Sequence, residues 1–210
     1  AYKTVLSIKT FNYSITMEIT SAQIKELRDK TGISVMQCKK ALEEAEGDMD
    51  KAVIILKKKR SEAADKKSDR ELGAGSIGSY VHNTNEVAAF VLLACETDFV
   101  SKNEEFVALA REIAMQVAAT NPTYVSKDQV PAEALKKAEE VFATEVGDKP
   151  EEMRAKILEG KMASYFREQI LMEQPFIKNP ETTIGEMISG AVQKFGENVS
   201  IAQISRLSVK

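Results

Sequence analysis

The chain has 210 residues, 43% of them apolar, enough to bury a substantial core and to form one larger domain or two small ones. Charged residues make up 29% and cancel to a net charge of -3, which excludes a protein-wide basic field able to hold nucleic acid and leaves recognition to a local patch. The longest wholly apolar run, Val87 to Cys95, is nine residues, far short of the ~20 of a membrane-spanning helix, and the N-terminus lacks the pattern of a secretory leader, so a cytoplasmic protein without membrane attachment is expected.

Residues 1–16, AYKTVLSIKTFNYSIT, show no helical periodicity, and Met17 stands directly before a helix start. They are expected to be a leader or a cloning remnant. From Thr20 onward the caps define three short helices. Thr20 with Gln23 and Ser34 with Gln37 each fit the capping box, in which two side chains satisfy orphaned backbone N–H groups reciprocally. Gly32 stops the first helix, Gly47 the second, and Asp48 can cap the third, whose Met49, Ala52, Val53 and Leu56 fall on one face at helical spacing. A three-helix domain over 17–60 follows. The charged run KKKRSEAADKKSDR (57–70) is interrupted by Glu62, Asp65 and Asp69, and reads as a solvated helix or linker, so 61–75 is expected to connect the domains.

Residues 76–210 read as an α+β domain. Ile77–His82 alternates as a strand, the NTNE segment turns the chain, and Val87–Cys95 forms the second arm of a hairpin. Ser101 and Glu104 fit a third capping box, and Phe106, Leu109, Ala110, Ile113 and Val117 make the core face of the helix behind it. Further helices are expected over 132–145, 151–172 and 182–194, separated by Gly147–Pro150 and Gln174–Phe176, with a last strand over 198–209 whose apolar alternation is only partial. The fold class is therefore α+β: a three-helix domain, then an antiparallel three-stranded sheet covered by helices.

Chemistry-bearing motifs are sparse. Gly73-Ala-Gly-Ser-Ile-Gly78 matches the dinucleotide fingerprint letter for letter, but that motif needs a strand before it and a helix after it, and here the order is reversed. It is set aside as a glycine entry into the sheet, leaving an oxidoreductase as a remote reading. Cys38 and Cys95 lie among apolar residues and read as buried thiols, and the single histidine, His82, completes no zinc ligand set with them. No nucleophile or acid–base pair is recognisable, so no catalytic residue, metal or cofactor is expected. What stands out is CETDFVSKN (95–103), where an acid and an aromatic, Asp98 and Phe99, occupy the corner between a buried strand and a helix. Residue chemistry alone favours Phe99 folding back onto its own core.

Together these segments resemble the bacterial translation elongation factor Ts family. The resemblance runs from Met17 onward: ITSAQIKELRDKTGISVMQCKKALEEAEGDMDKAV is similar to the family's UBA-like N-terminal domain, TDFV is its signature, and GSYVH, IAMQVAATNP, GDKPEEM, EGKM and EQPF follow in family order. It implies a guanine-nucleotide exchange factor that binds elongation factor Tu in its GDP-bound and nucleotide-free forms. Thr97, Asp98, Phe99 and Val100 would then enter the partner's G domain near its magnesium and phosphate site. Arg28, Val35, Met36 and Lys39 of the first domain, and Phe195-Gly196, match further G-domain contacts, and His82 matches a contact to another domain of the partner. In longer members TDFV and GSYxH lie in two related subdomains, whereas here both lie in one module, so a homodimer is expected in which each partner touches both subunits. No counterpart of the coiled-coil protrusion of longer members is discernible, and Ala94 stands where the family commonly has Asn. The alternative from another class is a UBA-like interaction adaptor without exchange activity.

Overall fold

The computed structural model describes residues 19–146 and 150–209, so the expectation for residues 1–16 lies outside it. Two compact units divide between Lys59 and Arg60. In the first, α1 (Ser21–Thr31), α2 (Val35–Glu44) and the first turns of α3 (Met49–Asp65) enclose Leu27, Ile33, Cys38, Ala41, Leu42, Ala52 and Leu56. The Thr20–Gln23 capping box is fully formed, Ser34 accepts the Gln37 N–H, and Asp48 accepts the N–H groups of Asp50 and Lys51 at 3.0 Å each. Cys38 is a buried free thiol, as its apolar neighbours predict.

The second unit is built on an antiparallel sheet in the order β1 (Ala74–Val81), β2 (Val87–Cys95), β5 (Val199–Ser208). Its inner face, Ala89, Val91, Leu93 and Cys95 on β2 with Ile201 and Val199 on β5, packs on Phe106, Ala110, Ile113, Ala114 and Val117 of α5 (Glu104–Thr120) and on Ile184, Ile188 and Val192 of α8 (Ile184–Phe195). The β2–β5 register shifts between Leu92 and Leu93, whose partners are Gln203 and Ile201, so Ala202 is a bulge. A strand has period two, and without the bulge Ile204 and Ile201 would point to opposite faces. This is why the alternation in the last strand is partial. Glycines enter β1 itself: a Cβ on Gly78 would lie 2.1 Å from the Ala110 carbonyl group. The fingerprint match therefore reflects close helix–strand packing and not phosphate binding.

Several boundaries differ from the sequence reading. α7 (Glu151–Gln169) stops three residues short of 172 because the chain is pulled aside: the Leu171 and Met172 N–H groups bond the carbonyls of Tyr124 and Val125 at 2.9 and 3.0 Å. A two-stranded ribbon, β3 (Pro175–Phe176) with β4 (Asn179–Thr183), was not foreseen, being short and bounded by prolines. α6 (Ala132–Val146) and α7, the two helices expected on either side of Gly147–Pro150, pair through Phe142 edge-on to Tyr165 and an ion pair between Glu145 and Lys161. The charged run after Lys59 is helical to Asp65, and its continuation is tied to the second unit: Arg60 Nε donates to Gln193 at 3.3 Å, and Asn198 Nδ2 donates to the carbonyls of Ser68 and Arg70 at 3.1 and 3.0 Å. Among the described residues no helix is long and apolar enough to cross a membrane.

Gly78→Ala is predicted to cost about 3 kcal/mol, the upper range for overpacking, because backbone and not a mobile side chain blocks the added carbon. Gly160→Ala, in open space in the middle of α7, should instead gain up to about 1 kcal/mol. Urea denaturation of both variants checks the pair.

Candidate partner-binding site

The corner after β2 is not a plain connection. Thr97 is the N-cap of a one-turn helix, α4 (Asp98–Ser101), so the segment read as a loop is helical. The expected cap at Ser101 is corrected. Ser101 is buried as the last residue of α4, with its hydroxyl donating to the Asp98 carbonyl at 3.1 Å, and the cap of α5 is Asn103, whose side chain accepts the Glu105 N–H at 2.9 Å. Successive residues on a helix are rotated by about 100°, which separates the two apolar side chains of TDFV. Val100 is buried at 5% exposure in the core under the sheet, and Phe99 projects into solvent with 82% of its surface free. The expectation from residue chemistry alone, that Phe99 folds back onto its own core, is thus overturned.

Beside Phe99, Asp98 is ion-paired to Lys102 one helical turn on, at 2.7 Å, and that hydrogen bond holds its carboxyl below the usual aspartate range. The carboxylate is ionised at neutral pH and largely exposed. Under the corner, the Cys95 thiol is a buried free thiol that donates to the Thr97 carbonyl at 3.2 Å, and burial pushes its pKa up, so it is an inert part of the packing.

A second segment meets the corner from the far end of the chain. α8 ends at Gly196, whose φ of 75° lies in the left-handed region open to glycine. Phe195 is half-buried, its ring edge-on to Phe106 at 5.7 Å between centroids, while Gly196 is exposed. The next residue, Glu197, turns its carboxylate onto the corner: Oε2 accepts the N–H groups of Glu96 and Thr97 at 3.1 and 3.0 Å, and Oε1 accepts the Thr97 hydroxyl at 2.6 Å. Glu96 reciprocates. Its Oε1 accepts the Asn198 N–H at 2.5 Å and Arg70 Nη1 at 3.3 Å, and these partners, the backbone N–H foremost, keep its carboxyl below the ordinary glutamate range. Lys194 and Glu105 add an ion pair between α8 and α5.

His82 lies elsewhere. It follows β1 at the hairpin turn, exposed, with Nδ1 3.2 Å from the Tyr80 hydroxyl. Because Ala74 pairs with Cys95 and Val81 with Ala88, His82 and the Asp98–Phe99 corner occupy opposite ends of the hairpin, roughly 25 Å apart at strand rise. In the first unit, Arg28 lies in the last turn of α1, Val35 and Met36 open α2, and Lys39 sits one turn on, in an ion pair with Glu43. All four are exposed, Met36 at 69%, around the turn between the two helices.

The profile described as Elongation factor TS matches residues 9–210. Proteins named Elongation factor Ts are similar along nearly the whole chain: that of Thermodesulfovibrio yellowstonii is 45% identical over 194 residues, covering 92% of this chain and 97% of the relative. The one from Syntrophus aciditrophicus is 46% identical over 192 residues (90% and 96%), and the one from Thermosipho melanesiensis 44% over 193 (91% and 98%). The chain belongs to the elongation factor Ts family.

Of the positions the family resemblance singles out, the structure brings together Thr97, Asp98, Phe99 and Val100 with the Phe195–Gly196 turn, through Glu197. It sets His82 at the other end of the sheet, and it places Arg28, Val35, Met36 and Lys39 in the first unit. Within Thr97–Val100, Val100 is the anchor and Phe99 the exposed apolar member. Glu197 and Glu96 were not singled out in the sequence. The only available signal was that each precedes or follows a named contact residue, because the bonds between them join positions about a hundred residues apart.

Proposed function

We propose that the protein promotes GDP release from elongation factor Tu by presenting Asp98 and Phe99 to the partner's magnesium and phosphate site. Membership of the elongation factor Ts family makes it a nucleotide exchange factor of translation elongation. The finer reading rests on one observation: a phenyl ring that leaves four-fifths of its surface in water, on a helical turn anchored in the core by Val100 and Ser101. Such an apolar side chain favours burial in a partner by ~1.5 to 3 kcal/mol. An ionised carboxylate next to it bears on a metal-bound diphosphate, since disturbing the metal removes the charge that holds the phosphates.

The mechanism is linkage without any bond made or broken in this chain. A factor that prefers nucleotide-free partner to GDP-bound partner is itself weakened by GDP to the same extent. A 10³- to 10⁴-fold faster release needs ~4 to 5.5 kcal/mol of transition-state stabilisation, more than one ring supplies. Arg28, Val35, Met36 and Lys39 of the UBA-like first domain, together with Phe195-Gly196, share the task as further contacts to the G domain. The protein works in the cytoplasm, with no cofactor of its own.

A homodimer completes the proposal. The outer face of the sheet carries Ile77, Val81, Phe90, Leu92 and Leu207, with Ile77 at 68% and Leu207 at 62% exposure. A contiguous apolar face of this kind is characteristic of an interface, and a second copy, which carries the same face, pairs with it about a twofold axis. One elongation factor Tu then meets Phe99 of one protomer and His82 of the other, a reading supported by their placement at opposite ends of the hairpin.

Two outcomes test this. Phe99→Ala should lower the stimulated release of a fluorescent GDP from elongation factor Tu by roughly 10- to 100-fold, the rate equivalent of the lost burial, while stability changes by less than about 0.5 kcal/mol because the ring is exposed. Normal exchange by that variant would refute the wedge. Light scattering at tens of micromolar should report a dimer that Phe90→Asp with Leu92→Asp converts to a folded monomer; a wild-type monomer contradicts the second part.

A further inference from the structure

The contacts of Glu197 do more than close a loop. α4 has only four residues, and its own cap is weak, the Thr97 hydroxyl accepting the Val100 N–H at 3.5 Å. A single turn of helix does not hold itself together in water. What fixes the lead-in to this turn is one carboxylate from the segment after α8, which takes two backbone N–H groups and a hydroxyl at once. Thr97 is exposed, so water could satisfy its two donors without loss. The contribution of Glu197 is therefore to direction. A hydroxyl has one proton: by accepting it, Glu197 leaves the lone pairs of Thr97 Oγ for the Val100 N–H and turns the hydroxyl into the cap. Glu96 makes the reverse connection to the Asn198 N–H and to Arg70, and Asn198 in turn holds the 68–70 turn. Two carboxylates crossing between the same two segments leave little freedom for either segment to shift alone.

We infer that Glu197 is a positioning residue for nucleotide exchange: its carboxylate holds the Thr97 cap so that Phe99 keeps the direction in which it enters the partner, and couples that turn to the Phe195–Gly196 contact. The inference rests on the proposed role of Phe99 and adds a residue that acts through bonds within its own chain. Its chemistry is specific. Oε2 must accept two N–H groups and Oε1 the Thr97 hydroxyl proton; glutamine keeps the first acceptor but sets an NH2 donor against the hydroxyl, aspartate is one methylene too short, and alanine offers nothing.

The test is a double-mutant cycle read as the maximal rate of fluorescent GDP release from elongation factor Tu at saturating factor, together with the factor concentration giving half that rate. Glu197→Ala should lower the maximal rate about 10-fold, and Glu197→Gln, which keeps the acceptor for the N–H groups but not the one for the hydroxyl, should fall between the alanine variant and wild type. In the Phe99→Ala background, Glu197→Ala should change the rate less than 2-fold, since the ring it positions is gone. Equal losses in both backgrounds would mean a general structural role, and unaltered exchange by Glu197→Ala no role; either overturns the inference. Where the alanine variant does not fold, Glu197→Asp, which keeps the charge, carries the same cycle with the same criteria. A Phe99→Ala variant that exchanges normally would instead remove the wedge reading, a failure distinguishable from the loss of Glu197 alone, and would remove this inference with it.

Discussion

The burial of Val100 is the constraint on which the rest depends. It is fixed in the core beneath the sheet together with Ser101, and on a single helical turn these two take the inward side and leave Asp98 and Phe99 on the outward side. An exposed phenyl ring is therefore not a packing failure at Phe99 but the geometric complement of a well-packed Val100. The same turn delivers Asp98 to the surface, where Lys102 keeps it ionised. The proposed partner site is thereby a four-residue helix that sets an exposed ring beside an ionised carboxylate.

The scaffold serves that turn. Gly78 lets α5 approach β1 closely, which sets the floor on which Val100 and Phe106 rest. The bulge at Ala202 keeps both halves of β5 facing the same core, so the strand can run from the segment beside the corner to the far end of the sheet. Glu197, just before β5, then reaches the corner, and the crossed carboxylates bind two distant parts of the chain into one surface. The outer sheet face remains apolar and open, and it is this face that a second protomer can cover.

Legibility in the sequence followed the range of the interactions. Local signals read correctly: the Thr20–Gln23 box, the Asp48 cap, the core stripes of α3 and α5, and the hairpin of β1 and β2 are all set within a few residues. Errors arose where a tertiary contact chose between local options. Ser101 fits a cap as well as Asn103 does, but burial of Ser101 under the sheet decides for Asn103. α7 ends early because residues 123–125 compete for its last turn, and the β3–β4 ribbon is too short to show alternation. The direction of Phe99 could not be read from composition, since burial of a phenylalanine is the ordinary outcome; the family motif pointed the other way, and only the helical geometry of α4 explains why. Glu197 was invisible for the plainest reason, its partners lying about a hundred residues away.

The most direct measurement is the structure of this protein bound to nucleotide-free elongation factor Tu. The account predicts that the Phe99 ring is fully buried between side chains of the partner's G domain, with Asp98 beside the vacated phosphate site and the bonds from Glu197 to Glu96 and Thr97 unchanged. A complex in which Phe99 remains in solvent, or in which α4 has unwound to reach the partner, would contradict it.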